Sequence, residues 1–237
     1  LGINVINVKT FIADSIFELI EHEVAVFLGN EDHVRLYDSI DVNGYFVLYP
    51  ERKFAVATGV PLENWLPVFV HEFNHFRQWK EQDPIYLKAF PHGKPGDDRE
   101  AIEFINEWVE REVEFSDTEI QFYIERAREM EADCERRAYR MIEERNLPID
   151  LATYAQMSNA YIHFYNFVGK NREWYAIGKE PYRTLQVVQA MNTTIDDDFS
   201  TINEEYMELF ETHCMPEWYH RLDCSEAPIE TDCGCKK

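Results

Sequence analysis

The sequence contains no run of 18 consecutive apolar residues, so no segment reads as a membrane span. It also lacks a charged-then-apolar opening segment of the secretory type. Basic residues are scarce: 23 Lys and Arg stand against 45 Asp and Glu, a formal net charge of −22. A chain this acidic repels phosphate backbones, which argues against nucleic acid as a partner. The simplest role for the charge is a solvated surface that maintains solubility, with acidic mimicry of DNA as the alternative. Cysteine is sparse too. Of the five, Cys214, Cys224, Cys233 and Cys235 lie near the C-terminus, and Cys134 falls mid-helix on an apolar face, as a small core residue would. An odd count with no signal segment is not a disulfide framework, and a reducing, cytoplasmic setting is expected. No internal repeat is present.

Material for a core is ample: 45% of the 237 residues are hydrophobic and 14% aromatic. The length suits one large domain, or a domain with an extension. The expected layout is a domain over residues 1–169 and an extension over 170–237 that packs on it and ends in a loosely ordered acidic tail.

Residues 3–8 alternate as a first strand would, and 14–28 carry Ile16, Leu19, Ile20, Val24 and Phe27 at helical spacing, with Gly29 as the stop. Three short strands follow: 33–37, 45–49 after the turn signal Asn43-Gly44, and 53–58. A helix is expected over 62–82 with Pro67 near its first turn. Residues 83–98 read as a loop, and Asp97 or Asp98 caps a helix to about 115. Ser116-Asp117-Thr118-Glu119 is a capping box that opens a helix to about 145. Further helices fit 150–168, 186–191 and 201–213, the last with Thr201 and Glu204 as its capping pair. The fold class is α+β: mainly helical, with a small antiparallel sheet before the 62–82 helix.

That helix contains His71-Glu72-Phe73-Asn74-His75. Residues four apart on a helix lie about 40° apart around the axis, so both imidazoles reach one point. Zinc accepts two such nitrogens at about 2.0–2.1 Å. Glu72, beside the pair, can act as the general base of a metal-assisted hydrolysis. Trp65, Leu66, Phe69, Phe73 and Phe76 occupy the opposite face and would be buried, turning the histidines toward a cleft.

A two-His centre needs at least one more protein ligand. The 117–145 helix offers several carboxylates, and helical geometry separates them. Ile120, Ile124, Ala127, Cys134, Ala138, Met141 and Ile142 form one stripe. At about 100° per residue, Glu131 falls near the middle of that stripe and Glu135 about 40° from it. Glu129 and Asp133 lie about 160° away. A carboxylate on an apolar face must be paired, protonated or metal-bound. Glu131 is therefore the expected third ligand, and Glu135, one turn on, can hold the ring N–H of a ligating histidine.

The 68–79 stretch resembles the active-site helix of zincin metallopeptidases. Glu131-x-x-x-Glu135 is similar to the Glu-x-x-x-Asp arrangement of gluzincins, with Glu in place of Asp. Glu129-Met130-Glu131-Ala132-Asp133 matches that family's Glu-x-x-Ala-Asp string more literally and would make Glu129 the ligand. The stretches 71–79 and 129–145 also look similar to small phage-encoded metallopeptidase-like proteins. The resemblance implies a gluzincin-like fold, one zinc ion and a peptide or protein substrate. It further implies that the strand before the motif helix, 53–58, edges the cleft and pairs with extended substrate.

The leading expectation is thus a zinc metallopeptidase with His71, His75 and Glu131 on the metal, Glu72 as base and Glu135 behind. Tyr161, Tyr165 and His163, on the 150–168 helix, are candidate donors to a developing oxyanion. Two other classes compete. Glu72-x-x-His75 and Glu217-x-x-His220 could serve a carboxylate-bridged di-iron site. A non-catalytic protein could instead keep the scaffold and act through its acidic surface.

Overall fold

The computed structural model describes residues 5–37, 40–95 and 99–216. The first helix, α1 (Val5–Glu21), starts inside the stretch expected as a strand and stops short of Leu28. Both differences have local causes. Val8, Phe11, Ser15 and Leu19 recur every three or four residues and are buried, a helical stripe that overrides the short alternation before it. At the other end Glu23 adopts φ 58° and the Val24 N–H returns to the Leu19 carbonyl, a left-handed stop without glycine. The chain then alternates inward and outward as β1 (Ala25–Gly29), so Gly29 ends a strand.

β2 (Val34–Leu36) and β3 (Ile40–Val42) form a separate antiparallel ribbon. β4 (Gly44–Val47) and β5 (Lys53–Ala57) join β1 in a sheet of order β1-β5-β4. This sheet is mixed rather than antiparallel: β4 runs against β5, and β1 runs with it. A parallel pair needs a long crossover, and residues 30–52 supply one. Asn43-Gly44 closes no hairpin, because β3 and β4 belong to different sheets. β5 is the buried central strand, so the sheet edge beside the motif helix is β4 and not 53–58.

The motif helix is α2 (Leu62–Lys80), with Pro67 inside it. Leu66, Phe69, Phe73 and Phe76 are buried. Phe69 meets Phe54 of β5 and Phe11 of α1 at ring-centroid distances of 5.1 and 5.9 Å. A short helix, α3 (Pro84–Lys88), interrupts the expected loop. α4 (Ala101–Val109) follows with Glu100 at its N-cap; Asp97 and Asp98 lie outside the described residues. α5 (Asp117–Glu144) opens at Ser116, whose N–H and hydroxyl both donate to Glu119 at 2.9 and 2.6 Å. α6 (Leu151–Asn171) runs through Gly169 and ends at Arg172, at φ 55°. α7 (Leu185–Ala190) and α8 (Glu204–Cys214) complete the order, and α8 is capped by Asn203 rather than Thr201.

Two apolar clusters form the core. One joins α1, the sheet, α2 and the C-terminal half of α5. The other joins α4, the N-terminal half of α5, α6, α7 and α8. The described part of 170–237 therefore shares a core with α4, α5 and α6. α5 runs through both clusters, and α2 meets it midway. No helix among the described residues is long and apolar enough to cross a membrane.

Candidate metal centre

The aromatic face of α2 is spent on β5 and α1, so His71 and His75 face α5. Helical spacing brings their Nε2 atoms to 3.1 Å from each other. From α5, Glu131 presents Oε2 at 3.6 Å from Nε2 of His71 and 3.4 Å from Nε2 of His75. Four-coordinate bonds of about 2.0–2.1 Å require neighbouring donors about 3.3–3.4 Å apart. The three atoms thus stand at the separations of one face of a metal-sized tetrahedron. Glu131 is 8% exposed, and its Oε2 is buried without a hydrogen-bond partner. A buried carboxylate oxygen without a hydrogen bond is costly, and positive charge offsets that cost, whether on the imidazoles at 3.4 and 3.6 Å or on a cation held between the three groups.

The far nitrogens are held as well. Glu135 Oε1 lies 3.0 Å from Nδ1 of His71, and its other oxygen accepts from Tyr154 Oη at 2.5 Å and Ser158 Oγ at 2.8 Å. Gln78 Oε1 lies 3.0 Å from Nδ1 of His75. Gln78 is itself held, donating to the Met130 carbonyl at 3.1 Å and Asp133 Oδ2 at 2.8 Å. Each Nδ1 can therefore carry its hydrogen toward a protein acceptor, leaving each Nε2 lone pair for a metal.

Cys134 adds a further donor. His71, His75 and Cys134 form a group whose ligand atoms lie within 4.8 Å of one another, an arrangement that can hold a metal ion. The thiol is on the Nδ1 side of His71, with Sγ 3.8 Å from that nitrogen and 3.3 Å from the His71 carbonyl oxygen. Glu135 already holds Nδ1 more closely, and burial pushes the Cys134 thiol up to about 12. The converging Nε2 side belongs to Glu131.

Carboxylates outnumber cations in this buried volume. Burial opposes a charge on His75, yet Glu131, Glu72 and Glu100 outweigh it and hold the imidazole up at about 10. Burial also opposes charge on His71, and Cys134 and Glu135 raise it well above the ordinary histidine value. Burial alone would lift Glu131 and Glu135, but His75 and His71 respectively bring them below the usual range. Glu72 is lifted by burial against the pull of His71 and His75, and the backbone of Phe46, in β4, bonds to it. Glu100 is pushed up to about 7 by burial, with Glu131, Glu103 and Glu72 adding to the effect of burial and His75 opposing it. In the metal-free protein protons neutralise this surplus, and a divalent cation does so with fewer particles. The donor set therefore fits a metal ion on charge, separation and orientation.

No protein-family model, curated protein or solved structure matches the chain. The site must speak through its own geometry.

Of the residues singled out from sequence, the structure brings together His71, Glu72, His75, Glu131 and Glu135. Glu129 makes no ion pair among the described residues and lies outside the group. Tyr161 and Tyr165 sit with hydroxyls 3.1 Å apart, and Glu131 acts on both after burial itself. His163 is turned elsewhere, to Asp196 at 2.8 Å. Glu217 and His220 lie outside the described residues. Sequence reasoning missed Gln78 and Glu100. Gln78 was findable, three residues beyond His75 on the same helix face. Glu100 arrives from a distant helix cap and carried no local signal.

Proposed function

We propose that the protein is a zinc-dependent hydrolase of zincin type, acting on peptide bonds. The observation that carries this reading is the convergence of His71 Nε2, His75 Nε2 and Glu131 Oε2 beside the Glu72 carboxylate. His71, His75 and Glu131 would hold one zinc ion, with a position left for water and substrate. Zinc would supply Lewis acidity, drawing the pKa of a water molecule toward about 7. Glu72 takes the proton of the attacking water on its carboxylate and returns it to the leaving amine. Burial raises Glu72, which moves its basicity toward the working range. Glu135 and Gln78 keep the two histidines oriented. In the Tyr161–Tyr165 pair one hydroxyl proton serves the mutual bond, and the other is available to a substrate oxyanion. The β4 edge offers main-chain hydrogen bonds to an extended peptide.

The test is metal analysis of the purified protein beside Glu131→Ala, followed by peptide-library cleavage. About one zinc per chain, lost in the variant, with cleavage that Glu72→Gln abolishes, is the expected result. Absence of metal after incubation with zinc would end this reading, and two irons per chain would favour a carboxylate-bridged centre.

Cys134 favours a second reading, a closed structural centre held by His71, His75 and the Cys134 thiolate, with the metal on the thiol's side of His71 rather than in the Glu131 set. Cobalt substitution separates the two: a thiolate-to-cobalt absorption band that Cys134→Ser removes would support the closed centre.

A further inference from the structure

Among the described residues two buried side-chain polar atoms lack a hydrogen-bond partner. Glu131 Oε2, an acceptor, belongs to the metal centre. The other is Arg77 Nε, a donor, and Arg77 lines a pocket of about 200 Å³ between α2 and α5. Its walls include Arg77, Arg137, Arg140 and Arg145, with Glu81 and Glu144. This gathers four of the chain's 23 basic residues in a protein of net charge −22.

The arginines are not equally engaged. Arg137 is saturated, reaching Asp133 at 2.6 Å, Glu81 at 2.6 Å and Asp83 at 2.5 Å. Arg77 meets Glu81 through one terminal nitrogen at 3.1 Å, which leaves Nε over. Arg140 and Arg145 are exposed, and among the described residues neither guanidinium makes an ion pair or hydrogen bond. Helix C-termini attract cations, which accounts for Arg77 in the last turn of α2 and Arg145 at the C-cap of α5. It accounts neither for Arg140, farther inside α5, nor for a donor buried without an acceptor.

We propose that this pocket binds a phosphate-type oxyanion. Such an anion offers several acceptor oxygens at once. These can take the forked N–H groups of Arg140 and Arg145, with the exposed part of the Arg77 guanidinium beside them. The volume exceeds that of a bare phosphate, so the group can be free or carried on a small organic molecule. The acidic chain repels anions elsewhere, so binding depends on this local reversal of sign. The pocket also adjoins the metal centre: Arg137 holds Asp133, Asp133 accepts from Gln78, and Gln78 holds His75.

The experiment is isothermal titration of the full chain with inorganic phosphate, at ionic strength matched with chloride. About one phosphate per chain is expected. Arg77→Gln removes a guanidinium that lines the pocket, and should weaken binding at least about five-fold. Arg140→Gln/Arg145→Gln alters exposed positions and should abolish it, with the chloride melting temperature as the check on folding. No saturable binding up to about 10 mM, or binding that survives the double substitution, overturns the proposal. The second outcome would put the anion elsewhere, on the metal included. A parallel titration with phosphoserine separates the sources. Tighter binding than inorganic phosphate indicates an organic carrier, and equal or weaker binding indicates the free ion.

Discussion

His71 and His75 can serve a metal because other side chains hold their far nitrogens. Glu135 and Gln78 do this from different elements, and Gln78 is fully buried with its amide bound on both sides. Losing such a partner usually costs about 10–100-fold in metal affinity, so Gln78→Ala should weaken zinc by that order in a competition titration. Glu131→Ala should be far worse and Glu129→Ala nearly neutral, since only Glu131 reaches both imidazoles. Equal losses would mean that the convergence seen at Nε2 is not where the metal sits. Glu72→Gln should retain zinc and lose turnover, as an isosteric amide cannot accept the proton. Turnover at the parent rate would remove Glu72 from the chemistry.

At the scale of elements, the centre is a meeting of α2, α5 and β4. Gly44 permits the third approach. A Cβ there would come 2.7 Å from Val68 Cγ1, 3.0 Å from the Ala55 carbonyl oxygen and 3.2 Å from Glu72 Cγ. Gly44→Val should therefore push β4 off α2, cost about 1–3 kcal/mol in denaturant unfolding and lower activity together with stability. The cap of α5 offers a contrast. Ser116→Ala removes a capping box far along the helix from Glu131, and should cost about 1 kcal/mol without moving zinc affinity. A fall in metal affinity there would show that the helix end and the centre are coupled.

Over the whole molecule, charge governs the response to pH and salt. His75 gains proton affinity on folding, so its contribution in the metal-free protein is complete below about 6.5 and is lost as pH climbs through about 10. Glu131 and Glu135 act in the opposite sense: their lowered values stabilise the fold above about 4.5, and that stability is lost in acid. Metal-free protein should accordingly melt at lower temperature as pH rises from 7 to about 10. Zinc competes with these protons, so its affinity should rise over the same range, with proton release measurable by calorimetry in buffers of different ionisation enthalpy. A flat affinity profile would contradict the protonated-imidazole state. Independently, a net charge of −22 repels itself, and about 0.5 M salt should raise the melting temperature by screening.

The sequence by itself determined the elements whose signals are local. His71, Glu72 and His75 share a face because helical spacing requires it, and the aromatic stripe opposite them says which side of α2 is buried. The Ser116–Glu119 box placed the start of α5, and the centring of Glu131 on the apolar stripe placed it toward α2. Where two periodicities competed, the local reading failed. Residues 5–8 joined α1 because Val8 and Phe11 found Phe69 and Phe73, a contact about 60 residues away in the chain. Val24 and Phe27 fit a helical stripe on paper, but left-handed Glu23 ended the helix and the backbone of β5 offered a parallel partner. Only the tertiary structure could make β4 rather than β5 the sheet edge, or bring Glu100 to the histidines. Pairing order and the approach of distant side chains depend on where whole elements pack, which no window of neighbouring residues contains.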